Sequence, residues 1–479
     1  MRDTGQTREP AEAGGVAQAR LASFALAAVP AFSLLLLLSR PVWDVDVFWQ
    51  LRLGELILAG GGPVLAEPFA ARHLGESLPT LAWAGQALYA ALRLVGGWPL
   101  LRTVDALCWL GGFWAAGWAA RRRGASAPGV ALALALGLIA ALPQASLRPQ
   151  SLAVLCFGLL IALAFNRLCP PLRLALGAGL LVLWQNLHPS VAIAAVWLGA
   201  LAAVRWARFL VRREGRWPWS ETALASLAAI ALFATPEGAG ILGVSAANAA
   251  MSRAMGVSEW LPLWAPINRQ VAVPVLIVAA LAAWLVRRSG RWAVDEVLPA
   301  LALLVLTVIG YRFVLFWAVA MVPVIARAAA PRADLPLSLP RRAGGLALGL
   351  AVVAGIVLPV RFDPRLPLAE IARLRASGVT GTVFAHFPWG GPVIDAGYPQ
   401  WRVAYDGRYY RYAPTEWAEY DSAAKGHMAL AQIEAAWHPA AFLLDPQWNA
   451  GLIAVLRARP AQWRELPGAG QAVSFTRAP

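Results

Sequence analysis

The stretch Arg40-Pro-Val-Trp-Asp-Val-Asp-Val-Phe-Trp-Gln-Leu-Arg52 follows directly on an apolar run at 21–38. That run is close to the roughly 20 apolar residues needed to cross a hydrocarbon core. Pro41 favours a break just after it, so Asp44 and Asp46 stand at its mouth. Packing explains two carboxylates there poorly. An enzyme embedded in a bilayer and working on a lipid-carried substrate would want acids in that position.

Working outward, the rest of the chain reads as membrane protein. Of 479 residues, 59% are hydrophobic and 14% charged, with mean hydropathy +0.58; soluble domains carry roughly 25% charged residues. Apolar segments fall at 21–38, 100–120, 127–145, 151–166, 174–187, 190–204, 221–234, 271–286, 296–310, 313–329 and 343–360, which predicts about eleven transmembrane helices. The net charge of +15 would suggest nucleic acid in a soluble protein. Here the arginines cluster in short loops between apolar segments, so the charge reports topology and no nucleic-acid partner is expected. The three cysteines show no metal-ligand spacing and no disulfide framework. No small-residue cleavage site follows the first run, which reads as a retained anchor.

Cytoplasmic loops are rich in Arg and Lys. An N-terminus inside puts Arg121, Arg122 and Arg123, Arg173, the 205–216 cluster, Arg287 and Arg288, and Arg327 in cytoplasmic loops. Residues 1–20 are then a disordered cytoplasmic tail, and 21–360 the transmembrane domain with a first outer loop at 39–99. Segment 78–95 is apolar enough to cross, but crossing would invert every later loop; it is read as an interfacial helix. Residues 361–479 form a small extracytoplasmic α/β domain. Strands are expected at 382–387, 402–405, 441–444 and 472–476, and helices at 417–424, 428–437 and 450–457.

Asp44 and Asp46 share one face only of an extended or turned segment. Among Val45, Val47, Phe48 and Trp49 they would be partly desolvated, which raises a carboxyl pKa and strengthens it as a base. The competing structural account is an acidic turn, or an aspartate capping a helix that starts at Val47. Arg52 either pairs with Glu55 or binds an anionic head group. Arg148, His188 and Arg312 lie at outer ends of spans, on the side that holds Asp44, and their convergence would make a pocket for a phosphate. Against this, a lone arginine commonly snorkels to the interface. Glu237, Glu259 and Trp260 sit in the next longest outer loop and carry a weaker claim. Tyr405-Asp-Gly-Arg408 reads as a turn.

The run Asp44-Val-Asp-Val-Phe-Trp-Gln-Leu-Arg-Leu-Gly54, continued to Glu67-Pro-Phe69, resembles a pattern in bacterial polytopic proteins of the GT-C glycosyltransferase superfamily: Asp-x-Asp-x-Trp-Trp-His-Leu-Arg-x-Gly, then Asp-Pro-Phe. Looser likenesses follow at Leu147-Arg-Pro-Gln150, Trp184-Gln-Asn-Leu-His188, Tyr311-Arg-Phe313, Phe387-Pro-Trp-Gly-Gly391 and Tyr405-Asp-Gly-Arg408. The chain departs from the pattern at Gln50, where the family has histidine, and at Leu81-Ala-Trp-Ala-Gly-Gln86, where it has a His-Glu-Trp-like segment. The resemblance implies a membrane glycosyltransferase with a polyprenyl-phosphate-linked sugar donor and an undefined acceptor, acting with inversion at the outer face of a bacterial inner membrane. Asp44 or Asp46 would be the catalytic base. Arg52, Arg148, His188 and Arg312 would be the substrate-binding groups. The cofactor is left open, a divalent cation being one option. Two other classes stay in play: a transporter or lipid flippase, and a non-catalytic envelope assembly protein.

Overall fold

A computed structural model describes residues 28–213, 215–329, 338–468 and 471–478, with only the backbone for 338–341. The expected disordered tail at 1–20 lies outside the described residues. A helix underlies each predicted apolar segment. They are α1 (Ala28–Ser39), then, after α2 (Asp46–Gly60), α3 (Trp83–Arg122), α4 (Ala127–Ala141), α5 (Gln150–Ala164), α6 (Pro170–Leu187), α7 (Ala192–Arg212) and α8 (Trp219–Ala231). After α9 (Gly240–Ala254) come α10 (Arg269–Ser289), α11 (Val294–Ile309), α12 (Val314–Ala328) and α13 (Ser338–Val357). Among the described residues, four stretches of helix are long and apolar enough to span a membrane on their own: Ala127–Gln144, Ala192–Arg212, Pro266–Ser289 and Tyr311–Ala328. Helix α9 was not foreseen and lies in what was read as an outer loop.

Small residues let the bundle close. A Cβ on Gly158 would run into the carbonyl of Gly112, so α3 and α5 touch backbone to backbone, the packing that membrane helices favour where no hydrophobic force separates helix from lipid. Helix α3 breaks at Gly97, whose φ of 64° lies in the left-handed region. The 83–95 arm is therefore a separate helix from the 98–122 rod. It packs on α2, with the Gln86 carbonyl pressed on Gly54.

The arginines assigned to inner loops gather at one end. Arg123 reaches Asp295 at 3.0 Å and Glu296 at 2.9 Å, Arg327 reaches Glu296 at 2.7 Å, and Arg173 and Arg205 share Glu221. Helix α4 separates this end from Gln144 and Arg148; its 15 residues span about 22 Å at 1.5 Å per residue.

The tail continues with α14 (Leu368–Ala376), β1 (Gly381–Ala385), α15 (Gly390–Gly397), β2 (Trp401–Val403), α16 (Pro414–Ala424), α17 (Leu430–Trp437), β3 (Pro439–Leu444), α18 (Ala450–Arg457), β4 (Trp463–Glu465) and β5 (Val473–Arg477). The sheet order is β2-β1-β3-β5-β4. Strands β2, β1 and β3 run parallel, while β5 and β4 are antiparallel additions. One face packs Phe384, Phe442 and Phe475 against Tyr420, Trp437 and Leu456. The other face packs Val383, Val403 and Leu443 against Trp49, Leu53 and Ile57 of α2. Segment 39–99 therefore shares a hydrophobic core with the tail.

Two glycine motifs make that junction. A Cβ on Gly391 would collide with the Val45 carbonyl, and one on Gly407 with Asp46 Oδ1. Gly391→Ala is expected to cost about 1–3 kcal/mol through overpacking, read as a lowered melting temperature of the purified chain. An unchanged melting temperature would show that the contact is loose.

Candidate active site

The site begins where α1 ends. Val42 donates its N–H to the Arg361 carbonyl at 2.8 Å and accepts from Asp363 at 2.9 Å, which pins the chain beside the start of the tail. Asp44 Oδ1 then accepts the Asp46 N–H at 3.0 Å, and α2 starts at Asp46. Val45 is the N-cap and has no side-chain cap bond, so Asp44, one residue before it, takes the first helical N–H, that of Asp46. Trp49 Nε1 donates to Asp46 Oδ1 at 3.0 Å, leaving Oδ2 turned toward Arg148.

Arg148 stands in the turn between α4 and α5. Its backbone carbonyl accepts the Tyr89 hydroxyl at 2.8 Å. Its Nε points its hydrogen at Ser146 Oγ, 3.0 Å away, and lies 2.7 Å from Asp44 Oδ2. Nη1 is 3.4 Å from Asp46 Oδ2 and Nη2 donates to Glu259 Oε2 at 3.0 Å. One guanidinium therefore holds three carboxylates from two distant loops.

Burial and charge set these groups apart. Burial, and then the neighbouring Asp44 charge, push the Asp46 carboxyl up to about 7. Burial also raises Asp44, outweighing the pull of Arg148. Glu259 is equally buried, but the charges of Arg148 and Arg312 hold it below the usual carboxylate range. Burial, with the charges of Arg312 and Arg148, drives His188 down to about 3, so its imidazole is neutral.

Arg148 divides two cavities. The larger, of about 660 Å³, is lined by Asp44, Asp46, Glu259, His386, Tyr409 and Asp445 among others. The smaller, of about 120 Å³, has Arg148, His188, Arg312, Gln50, Gln86 and Gln150 in its wall. There the Arg312 guanidinium lies 3.6 Å over the Trp260 ring, and its Nη1 is buried with no hydrogen-bond partner. Gln50 Oε1 is likewise unpartnered, and His188 Nδ1 engages Ser190 Oγ at 2.9 Å. The pocket holds one unused cationic donor among neutral amides.

Asp44, Asp46, Arg148, His188 and Arg312 thus converge. Arg52 does not join them. It bonds Glu55 Oε2 and the Asp395 carbonyl, each at 2.5 Å, and Arg93 bridges Glu55 and Asp395 beside it. Six residues beyond Asp46 on a helix lie about 240° round the axis and about 9 Å along it, which turns Arg52 away from both cavities. Arg52 clamps α2 to α15, and Arg93 ties the 83–95 arm to the same pair of acids. Glu237 is also structural, accepting from Thr80 N and Oγ1 at 2.6 and 3.0 Å. Asp406 and Arg408 are fully buried, and Asp406 Oδ1 accepts the Arg408 N–H at 2.9 Å, so the turn read there is packed inside the molecule. Glu259 gains a place at the centre, and His386, Tyr409 and Asp445 were not foreseen. Their signal was available: His386 and Asp445 each directly follow a parallel strand, and ligands gather at the carboxyl ends of such strands.

The donor set fits a metal ion poorly. The point on which Asp44, Asp46 and Glu259 converge is filled by the Arg148 fork. Among the described residues, no three His, Cys, Asp or Glu side chains form a metal-holding group.

The architecture is a helical bundle whose 39–99 segment is built into a C-terminal sheet domain. The chain is similar to the Archaeoglobus fulgidus oligosaccharyltransferase tethered to an acceptor peptide containing the NVT sequon, with 9% identity and a TM-score of 0.51, over 95% of this chain and 74% of that one. The apo form of that enzyme, and its complex as AglB with an inhibitory peptide and a dolichol-phosphate, give TM-scores of 0.48 and 0.47 at 10% and 11% identity over the same shares. At such identities the likeness is one of fold. No protein-family model and no curated protein matches the sequence.

Proposed function

We propose that this chain is a membrane glycosyltransferase that moves a sugar from a polyprenyl-phosphate carrier to an acceptor hydroxyl at the outer face of a bacterial inner membrane. The observation that carries the reading is Arg148 holding Asp44, Asp46 and Glu259 between an acid-walled and a cation-walled cavity. Asp46 Oδ2 takes the proton of the acceptor hydroxyl. The freed oxygen attacks the anomeric carbon from the face opposite the carrier. The bond from that carbon to the carrier phosphate oxygen breaks, its electron pair leaves with the phosphate, and the configuration inverts. Arg312 offers its unpartnered N–H to the departing phosphate, and His188 adds a neutral ring. A buried donor aimed at developing charge is worth most where water is excluded. The fold likeness supports this reading, as do the arginine–carboxylate pairs gathered at the far end of the bundle.

The test is transfer in proteoliposomes supplied with a panel of polyprenyl-phosphate sugars. Transfer by the wild type and not by Asp46→Asn supports the reading; uptake of solute with no transfer would replace it with transport. A pH profile gives a second check. Only ionised Asp46 can accept a proton, and its carboxyl titrates near 7. Activity (kcat/KM) is therefore expected to fall about tenfold per unit below pH 7 and to level off above it. A flat profile from pH 5 to 8 would remove Asp46 as the base. Because Arg148 occupies the meeting point of the carboxylates, transfer is expected to persist in EDTA; loss on chelation and recovery with a divalent ion would contradict that placement.

A further inference from the structure

Resting on the proposed reading of the site as a sugar-transfer centre, we infer that His386 and Asp445 form a subsite for the acceptor, and that the acceptor is an uncharged sugar. Strands β1 and β3 are parallel neighbours, so their carboxyl ends open side by side. His386 and Asp445 are the first residues past those ends, and both line the larger cavity with Asp44 and Asp46. The His386 backbone N–H is fixed to the Leu443 carbonyl at 2.8 Å. Its Nδ1 is buried and has no hydrogen-bond partner. Burial pushes the imidazole down to about 4, so it is neutral and offers one donor and one acceptor. Asp445 Oδ1 is spent on the Gln447 and Trp448 N–H groups at 2.9 and 2.7 Å, while Oδ2 takes no hydrogen bond among the described residues. His386 Nδ1 and Asp445 Oδ2 therefore belong to two residues that line one cavity, and neither has a hydrogen-bond partner among the described residues.

The wall around them selects the ligand class. The His386 ring sits edge-on to Trp389 at 5.0 Å, and Trp43 and Tyr409 add aromatic surface to the cavity. Gln144, Asn268 and Gln471 supply amides. Flat aromatic faces with planar hydrogen-bonding groups suit a ring that carries hydroxyls on an apolar frame. The carboxylates of Asp44, Asp46, Glu259 and Asp445 disfavour an anionic acceptor. A peptide acceptor would profit from an open strand edge. At the β2 edge that option is closed, because Val403 N is bonded to the Phe69 carbonyl at 2.9 Å and Ala70 bridges to the same residue.

The experiment uses the full chain in nanodiscs and saturation-transfer NMR with a panel of methyl glycosides, a Ser/Thr-containing peptide, and polyprenyl phosphate as separate probes. At least one methyl glycoside is expected to bind. His386→Ala and Asp445→Asn are each expected to weaken it about tenfold or more; Asp445→Asn keeps the Oδ1 that holds the 445–448 turn. His386→Gln should recover part of the loss, and polyprenyl phosphate binding should not move in any of the three. No binding by any glycoside, unchanged glycoside affinity in both variants, or a peptide whose binding falls in their place would overturn the inference. Loss of carrier binding and of transfer with glycoside binding intact would instead sink the functional reading and leave the subsite standing.

Discussion

Asp46→Asn is expected to lower transfer by about 10²–10⁴-fold, the range for removing a positioned general base, while leaving the fold intact. The substitution keeps an oxygen for the Trp49 indole N–H and removes only the charge. It also relieves the like charge on Asp44, so the melting temperature should hold or rise. Asp44→Asn should behave differently. Asp44 takes the Asp46 N–H at the start of α2 and the shortest ion pair from Arg148. Its loss frees Arg148 to move toward Asp46, draws down the pKa of the base, and shifts the acid limb of the pH profile to lower pH. The readouts are rates with a polyprenyl-phosphate sugar, together with melting curves. If Asp46→Asn kept more than a tenth of the rate while Asp44→Asn abolished it, the two acids would exchange roles.

The parts of the molecule that were legible in the sequence are those specified by adjacent residues. Each apolar run became a helix because a bilayer demands that every backbone group bond within its segment. The end of α2 was marked by Gly60-Gly61-Gly62-Pro63, and Gly61 does take a left-handed φ of 69°. Other elements were hidden by their own composition. Helix α15 begins Gly390-Gly391-Pro392, which reads as a breaker, yet those glycines are there because Val45 and Tyr405 press against them. Strand β4 has three residues and exists only as a partner to β5. Helix α9 is short and mixed in polarity, with no caps to announce it.

The site divides along the same line. Asp44 and Asp46 stood out because two charges beside an apolar run need a reason. Glu259, His386 and Asp445 are ordinary loop residues until the fold brings them within reach of Arg148 or of each other. Arg52 shows the converse: its place beside the acids in sequence suggested a common task, and the pitch of α2 placed it on a different face. What the sequence could not convey was the junction between segment 39–99 and the tail, since contacts spanning more than 300 residues leave no local periodicity.

That junction carries the second large effect. Arg408 is fully buried. Its Nη1 and Nη2 fork onto Glu67 at 2.7 and 2.9 Å, and Nε and Nη2 fork onto Asp406 at 2.9 and 2.7 Å. The carboxylates are otherwise satisfied by the Phe69 and Ala70 N–H groups on Glu67 and by the Tyr412 hydroxyl on Asp406. Arg408→Ala would leave two buried carboxylates facing each other, with only Arg411, whose Nε lies 3.9 Å from Glu67 Oε2, as a nearby cation. Breaking a buried pair by removing one partner costs about 3–5 kcal/mol. Lysine would not rescue it, because a point charge cannot reproduce two planar forks. The combined change Glu67→Gln, Asp406→Asn and Arg408→Met, which removes all three charges, should regain much of the loss. Denaturation monitored by tail tryptophans, with proteolysis of 361–479 as a second readout, separates these cases. Because Gly407 touches Asp46, loosening this lock should also slow transfer in molecules that remain folded. An unfolding free energy for Arg408→Ala within about 0.5 kcal/mol of wild type, a change typical of an ordinary surface substitution, would mean that the apolar core of α2 and the sheet holds the junction without the ion cluster.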